Sequence, residues 1–132
     1  MKLIKSESYI NATPEEIANI CNGCGPKGIG AFVLNKLGGW DKTEACNIHD
    51  WDYEYAEATD EAKHYCDRVF LWNLVVLAMQ EGLKDLSERL EQANRFYNAV
   101  VIGGYISFWA NKNAPITPMP KNYNPHIGPI GQ

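Results

Sequence analysis

The chain has 132 residues, of which 45% are hydrophobic and 21% are charged, and its formal net charge is −4. This length fits a single domain that can bury most of its apolar surface without covalent cross-links. The negative charge argues against nucleic acid as the main partner, because binding to phosphates needs a concentrated basic face.

The N-terminal part of the chain predicts one short helix followed by a glycine-containing loop. Residues 1–10 alternate polar and apolar side chains, which fits a short strand or a loose arm. Thr13 can then cap a helix that has Pro14 at its first position and Glu16 closing a capping box. The glycines and the proline of residues 22–28 end this helix, because they cannot continue it.

Two further helices are predicted from capping signals. Residues 29–37 are apolar, and their pattern fits either a short helix or a loop. Asp41 and Glu44 form a second capping signature, which predicts a helix over residues 42–58. Thr59 then starts another helix, which should extend to about residue 81.

The C-terminal part predicts a long amphipathic helix and then a proline-rich tail. Apolar or small residues recur at spacings of three and four, which is typical of one helix face: Leu83, Leu86, Leu90, Ala93, Tyr97, Val100 and Gly104. Five of the seven prolines follow residue 112 and exclude a helix there. The sequence thus predicts an all-α domain of mostly antiparallel helices over residues 1–111 and a tail over residues 112–132.

Chemically active side chains share one stripe of the helix predicted over residues 42–58. Four residues at spacings of three, four and three lie on one face of this helix. They are Cys46, His49, Tyr53 and Ala56. Asp50 lies about 100° further round the helix, and Asp52 is expected to be a solvated charge. One helix can therefore offer an imidazole to one side of a cleft and a carboxylate to the adjoining side.

The following helix places Asp67 at the head of an otherwise apolar stripe. A charge in that position is costly unless it is hydrogen-bonded, and His49 and Tyr53 on the facing helix are its natural partners. Asp67 would fix the tautomer of His49, His49 would take a proton from water, and Tyr53 would hold Asp67 in place. The alternative is that Asp67 pairs with Lys63 or Arg68 on the surface.

Asp50 has a separate expected role beside the glycine-containing loop. The backbone freedom of residues 23–28 lets several carbonyl groups point inward. Calcium binds carbonyl and carboxylate oxygens in irregular geometry, and a bound cation polarises an ester carbonyl. These residue types therefore predict calcium-assisted hydrolysis of an ester.

Three segments of the chain resemble the phospholipase A2 superfamily. Residues 46–53 (CNIHDWDY) are similar to its C-x-x-H-D-x-x-Y helix, and residues 65–68 (YCDR) are similar to its C-D-R segment. Residues 22–28 (NGCGPKG) are similar to its glycine-containing calcium loop. The very short link between the two catalytic helices is closer to compact bacterial, fungal and viral members than to venom or pancreatic enzymes.

The resemblance implies hydrolysis of the sn-2 ester of glycerophospholipids at a membrane surface, with calcium as cofactor. By position, His49 is the general base, and Asp67 and Tyr53 support it. The implied calcium ligands are the Asp50 carboxylate and the carbonyls of three loop residues: Gly23, Gly25 and Lys27.

The chain has four cysteines, which can form disulfide bonds. The resemblance implies a disulfide between Cys24 and Cys46, which would tie the loop to the catalytic helix, while Cys66 pairs with Cys21 or stays free. Disulfides suggest an oxidising compartment, so a secreted or virion-associated protein is expected rather than a cytoplasmic one. The first ten residues nevertheless lack the apolar core of a signal peptide.

Two rival interpretations remain at this stage. The same fold could serve as a non-catalytic adaptor or binding module, for example in a phage or virus particle. The cysteines could instead hold zinc through their thiolates. In neither case is a transmembrane segment expected, because the longest uncharged runs, 69–80 and 96–111, are shorter than the roughly 20 residues that a spanning helix needs.

Overall fold

The structure, a computed structural model, describes residues 1–24, 34–110 and 112. These residues form helices and no strand, which confirms the all-α prediction for this part of the chain. In chain order the helices are α1 (Glu7–Ile10), α2 (Pro14–Ile20), α3 (Thr43–Tyr55), α4 (Asp60–Gln80), α5 (Leu86–Gly103) and α6 (Tyr105–Trp109). None of the helices in these ranges combines the length and the apolarity needed to cross a bilayer.

Several sequence predictions fall outside the described residues. They are the loop residues Gly25 and Lys27, most of the apolar segment 29–37, and the proline-rich tail beyond residue 112.

The N-terminal arm, residues 1–6, is neither a strand nor loose. The backbone of Ile4 bonds twice to the buried side chain of Asn73 on α4: its N–H donates to Oδ1 at 2.7 Å, and its carbonyl accepts from Nδ2 at 3.0 Å. The helix α1 follows, because the Ser6 hydroxyl accepts the N–H of Tyr9 and caps the turn. The prediction of a strand was therefore wrong, since a side-chain amide takes the bonds that a neighbouring strand would have made.

All three capping signals place the helix start within one residue, but only two of them form the predicted capping bonds. Thr13 and Glu16 form the predicted capping box, with bonds of 3.1 and 2.9 Å, and Thr59 caps α4 through the N–H of Ala62. The third case differs, because Asp41 lies two residues before α3 and accepts the N–H of Thr43 instead of closing a box with Glu44.

The helix α3 also ends earlier than predicted, at Tyr55 rather than at residue 58. Ala56 has extended backbone angles, with φ −69° and ψ 152°, so the helix cannot continue through it. The connection to α4 is consequently only residues 56–59, which brings the two site-bearing helices next to each other.

The buried face of α5 includes the predicted Ala93 and Tyr97, and the predicted Leu86 and Val100 pack against the core, but two predicted leucines are exposed. Leu83 precedes the helix and is 85% exposed, and Leu90 is 37% exposed. The inward positions are held by Arg89, Ala93, Tyr97 and Val101. The predicted single helix also ends at Gly103, and a separate short helix, α6, follows. The charged Arg89 is thus buried, whereas its apolar neighbour Leu90 is exposed.

Arg89 is buried because its guanidinium replaces water at the end of α4. It donates to the carbonyls of Ala78 at 3.0 Å, Lys84 at 2.8 Å and Gly82. These carbonyls belong to the last turn of α4 and to the connection to α5, where no intrahelical donor is available. Arg89 therefore fixes the angle at which α5 leaves α4.

Replacing Arg89 by methionine is expected to lower the free energy of unfolding by about 3 kcal/mol, because three carbonyls lose their donor while the apolar stem is kept. Arg95→Met on the same helix is the matched control. Its guanidinium is 74% exposed and pairs only with Glu91, so we expect a change within about 0.5 kcal/mol. Urea unfolding measures both; equal losses in the two variants would contradict this role of Arg89.

The main core lies where α4 packs against α3 on one side and α5 on the other. Its buried members are Cys24, Trp40, Ala45, Cys46, Phe70, Leu74, Ala78 and Ala93. A smaller cluster of Tyr53, Cys66, Phe108 and Trp109 places α6 over the far end of α3. The site described below lies between these two clusters.

Candidate active site

A disulfide joins Cys24 to Cys46 on α3, with their Cα atoms 5.0 Å apart. This confirms the pairing that the family resemblance implied. Cys21 and Cys66 are free thiols, so the alternative pairing between them is not formed. The zinc interpretation required thiolates at all four cysteines, and the disulfide removes two of them. In addition, no group of three or more His, Cys, Asp or Glu residues among the described ones could hold a metal ion.

His49 and Asp67 form a buried hydrogen-bonded pair between α3 and α4. His49 Nε2 lies 2.8 Å from Asp67 Oδ1, and the two residues are only 5% and 1% exposed. Burial alone raises the pKa of Asp67, but the hydrogen bond and charge of His49, together with the charge of Lys63, outweigh it and hold this pKa below its usual value. An ionised carboxylate only accepts, so Nε2 carries the ring proton and Nδ1 is the free acceptor of His49.

Tyr53 completes the contact that the sequence predicted. Its hydroxyl donates to the same oxygen, Asp67 Oδ1, at 2.5 Å. Burial and the adjacent Asp67 charge raise the pKa of Tyr53, so the phenol stays a donor. The imidazole of His49 lies between two rings, stacked on Phe70 at 4.5 Å and tilted against Tyr53 at 4.0 Å between centroids. The ring is thus held on both faces as well as at Nε2.

Lys63 is part of the same cluster and was not predicted to be there. It lies one turn before Asp67 on α4, is 3% exposed, and donates from Nζ to Asp67 Oδ2 at 2.7 Å. Nζ also lies 3.1 and 3.5 Å from the carbonyls of Val100 and Val101 on α5. The spacing of four residues is the sequence signal for this pair. The predicted alternative, a pair between Lys63 and Asp67, is therefore formed, but it lies in the interior rather than on the surface. It exists together with the contacts of Asp67 with His49 and Tyr53.

The two oxygens of Asp67 therefore have different partners. Oδ1 accepts from His49 and Tyr53, and Oδ2 accepts from Lys63. Without a donor at Oδ2 the carboxylate could turn and present either oxygen to the imidazole. Lys63 therefore fixes the plane of Asp67 and, through it, the orientation of His49.

A cavity of about 460 Å³ opens beside this cluster, between α3, α4 and α5. His49, Asp50 and Gly23 lie at its polar part. The remaining wall is largely apolar and includes Leu34, Phe70, Phe96, Ala99 and Val100. The cavity thus places a base and a carboxylate at one side of a space that suits a hydrocarbon chain.

Asp50 lies at the same cavity as His49 and bonds to the segment that follows α2. Its Oδ2 accepts the N–H of Asn22 at 2.9 Å. Burial raises the pKa of Asp50 to about 6, although the N–H groups of Asn22 and Gly23 and the charge of His49 act in the opposite direction. None of the ion pairs in the described ranges includes Asp50.

These features of Asp50 fit a hard cation. Its donors are carboxylate oxygens, and no basic side chain within the described ranges pairs with its buried charge, which is the situation that a bound cation relieves. Of the predicted carbonyl ligands, Gly23 lies at the cavity with a φ of 76°, whereas Gly25 and Lys27 are outside the described residues. One carboxylate is too few for a metal site, so backbone carbonyls would have to supply the other ligands.

Gly104 is required by the close approach of α5 to Tyr53. A Cβ atom at this position would lie 2.5 Å from the Tyr53 hydroxyl and would overlap the carbonyl of Val100. At Gly103, one residue earlier, a Cβ atom would meet nothing within 4 Å. The end of α5 is therefore shaped to admit the hydroxyl that holds Asp67.

Gly104→Ala and Gly103→Ala are expected to change stability in opposite directions. The first forces Tyr53 or the backbone to move and should cost about 1–3 kcal/mol, the range for overpacking. The second adds a good helix former in open space and should stabilise by up to about 1 kcal/mol. Thermal unfolding of the two variants side by side tests this; a neutral Gly104→Ala would show that Tyr53 does not approach the helix this closely.

Comparison of the chain with protein-family models, with curated proteins and with solved structures gave no match.

Proposed function

We propose that this protein is a calcium-dependent ester hydrolase of the phospholipase A2 type, which cleaves the sn-2 ester of glycerophospholipids at a membrane surface. The observation that carries the proposal is the buried His49–Asp67 bond, braced by Tyr53, at the side of a largely apolar cavity that also contains Asp50. A base, a carboxylate free of basic partners, and a hydrocarbon-lined space are the parts that hydrolysis of a lipid ester needs.

In the proposed mechanism, His49 and the residues around it transfer the proton of the attacking water. With Nε2–H bonded to Asp67, the free Nδ1 of His49 accepts a proton from the water that attacks the ester carbonyl. The imidazolium that results is stabilised by the Asp67 charge at 2.8 Å. Tyr53 and Lys63 keep the carboxylate in one orientation during this step, and the stacked Phe70 ring keeps the imidazole in place.

Asp50 and the carbonyls of Gly23, Gly25 and Lys27 would hold the calcium ion, whose chemistry is to polarise the ester carbonyl and to stabilise the oxyanion. The apolar wall formed by Leu34, Phe70 and Phe96 would receive an acyl chain and exclude water from it. The disulfide between Cys24 and Cys46 supports the proposal of a secreted or virion-associated protein, because such bonds persist in oxidising compartments.

The direct test is release of fatty acid from phospholipid vesicles with calcium and with a chelator. We expect turnover that falls by at least about 100-fold when calcium is removed, since the oxyanion then loses its strongest stabilising charge. Restoration by calcium but not by magnesium is the control for non-specific effects of the chelator. Turnover that is unchanged by the chelator would refute the calcium-assisted mechanism.

A second candidate function is a non-catalytic binding or adaptor module on the same scaffold. It is favoured by one observation: the Asp50 carboxylate already accepts backbone N–H bonds from the segment that would have to offer carbonyls. This alternative predicts no turnover and no heat of calcium binding in calorimetry. Calcium binding that is lost in Asp50→Asn would favour the enzyme.

A further inference from the structure

A second cavity, of about 350 Å³, lies on the other side of α3 from His49 and Asp67. It shares no lining residue with the first cavity. Its walls come from the N-terminal arm, from the last turns of α3 and from α4. The hydrolysis proposed above makes no use of it.

Three aromatic side chains line this second cavity: Trp51, Tyr55 and Tyr65. Trp51 is fixed, because its indole N–H donates to Ser8 at 3.0 Å and the Tyr9 ring packs edge-on against it. The Tyr55 ring lies 4.7 Å from the Trp51 ring between centroids. Tyr55 is 60% exposed and Tyr65 46% exposed, so both leave ring surface uncovered. Trp51 is only 3% exposed, so it is the fixed base of the aromatic wall, and the ring surface that a ligand can reach belongs to the two tyrosines.

Asp52 supplies the carboxylate of this cavity. It was expected to be a solvated charge, but it is half-buried. None of the ion pairs formed within residues 1–24, 34–110 and 112 includes it. Lys5 lines the same cavity, but its ammonium is bonded to Glu44 at 3.0 Å. The cavity thus contains a negative charge whose basic neighbour is engaged elsewhere.

The end of α3 adds to the negative potential here. Asp52 and Tyr55 lie in its last turn, which contains no basic residue. The free carbonyls of a helix C-terminus carry partial negative charge and favour cations. Lys112 bonds to one of these carbonyls, that of Tyr53, and its charge also acts on Cys66 in the cavity wall, so part of this potential is neutralised. The part of the cavity next to Asp52 still has a negative potential, which suits a positively charged ligand.

The residue types decide which cation fits. A metal ion needs several oxygen ligands, and this cavity offers one carboxylate among aromatic rings. A quaternary ammonium needs no hydrogen-bond acceptor, and it is attracted both to the faces of aromatic rings and to a single counter-charge. We propose that this cavity binds a quaternary ammonium group, with Asp52 as the counter-ion and Trp51, Tyr55 and Tyr65 as the aromatic wall. This inference does not depend on the proposed hydrolysis.

The first experiment titrates tetramethylammonium chloride into the wild-type protein at constant ionic strength and follows the Trp51 indole N–H by NMR. We expect a saturable shift in the millimolar range, because the site is shallow and makes few contacts. The uncharged choline isostere 3,3-dimethylbutan-1-ol should produce no saturable shift. No saturation by tetramethylammonium, or equal binding of the neutral isostere, would overturn the proposal.

Two substitutions test the contacts separately. Asp52→Asn keeps the size and removes the charge, and Tyr65→Leu removes one ring from an exposed position; each should weaken binding by roughly threefold to thirtyfold. Glu57→Gln, an exposed carboxylate just beyond α3, is the matched charge control and should bind like the wild type. Binding that is unchanged in Asp52→Asn, or weakened equally in Glu57→Gln, would contradict a site at Asp52.

The same chemistry occurs in a lipid headgroup and in soluble molecules such as choline. Flotation with phosphatidylcholine vesicles, compared with phosphatidylglycerol vesicles of the same acyl chains, separates the two sources. Asp52-dependent binding to the phosphatidylcholine vesicles identifies the headgroup, and Asp52-dependent binding to free choline alone identifies a soluble ligand. If neither depends on Asp52, the proposal is wrong.

Discussion

Replacing His49 by glutamine is expected to lower the rate of fatty-acid release by about 100- to 10,000-fold, the usual contribution of a general base. Glutamine keeps an N–H that can donate to Asp67 Oδ1, so the buried hydrogen bond that holds α3 to α4 can persist. What is lost is the second ring nitrogen, which accepts the proton of the attacking water. The effect should appear in kcat with little change in KM.

His64→Gln is the matched control for this substitution. His64 lies on α4, outside both cavities, and has no place in the proposed mechanism. It should leave the rate within about twofold, which is the scatter expected for a residue that stabilises no transition state. A folded His49→Gln variant that retains a tenth or more of the wild-type rate would show that His49 is not the base.

Replacing Lys63 by methionine is expected to cost about 3–5 kcal/mol of stability, the range for breaking a buried ion pair from one side. Methionine keeps the apolar stem, but Asp67 Oδ2 and the carbonyls of Val100 and Val101 lose their donor in a site with almost no exposure to water. Lys84→Met, at an exposed position between α4 and α5, should change stability by less than about 0.5 kcal/mol.

A double substitution separates the charge effect from packing. In Asp67→Asn the carboxylate charge is absent, so Lys63→Met should cost less in that background than in the wild type, and the difference measures the coupling of the pair. Additive losses would mean that Lys63 does not act through Asp67.

The same pair also predicts how stability depends on pH. The pKa of Asp67 lies below its unfolded value of 3.8, so its contribution is complete above that value and is lost as the pH falls through the folded-state pKa. Since Lys63 helps to lower this pKa, the Lys63→Met variant should lose less additional stability on acidification. Urea unfolding of both proteins between neutral and acidic pH measures the difference.

Much of the local structure follows from the sequence alone. Thr13 and Thr59 cap their helices as predicted, because a capping side chain bonds to the backbone only three residues away and needs no tertiary partner. The meeting of His49, Tyr53 and Asp67 is predictable for a similar reason. Their helical spacing puts them on facing stripes, and a carboxylate on an apolar face requires donors.

The sequence pattern was less successful at the N-terminal arm and at α5. Alternation of polar and apolar residues fitted a short strand or a loose arm, yet the side chain of Asn73 on a distant helix takes the backbone bonds of Ile4. On α5 the apolar stripe pointed to Leu90, whereas Arg89 is the buried neighbour. Both errors concern buried polar side chains that bond to backbone groups outside their own helix, and an apolar pattern does not register such bonds.

The amino-acid sequence by itself thus determined the helical character of the described part of the chain, the helix starts and the meeting of His49, Tyr53 and Asp67. The tertiary structure alone decided that Lys63 and Arg89 are interior residues, that α5 stops at Gly103, and that Asp52 faces a cavity lined by aromatic rings. The physical reason is desolvation. A periodic pattern gives no sign that a lysine or an arginine is buried, and only the packed fold supplies the carbonyls and carboxylates that bond to such a cation in the interior.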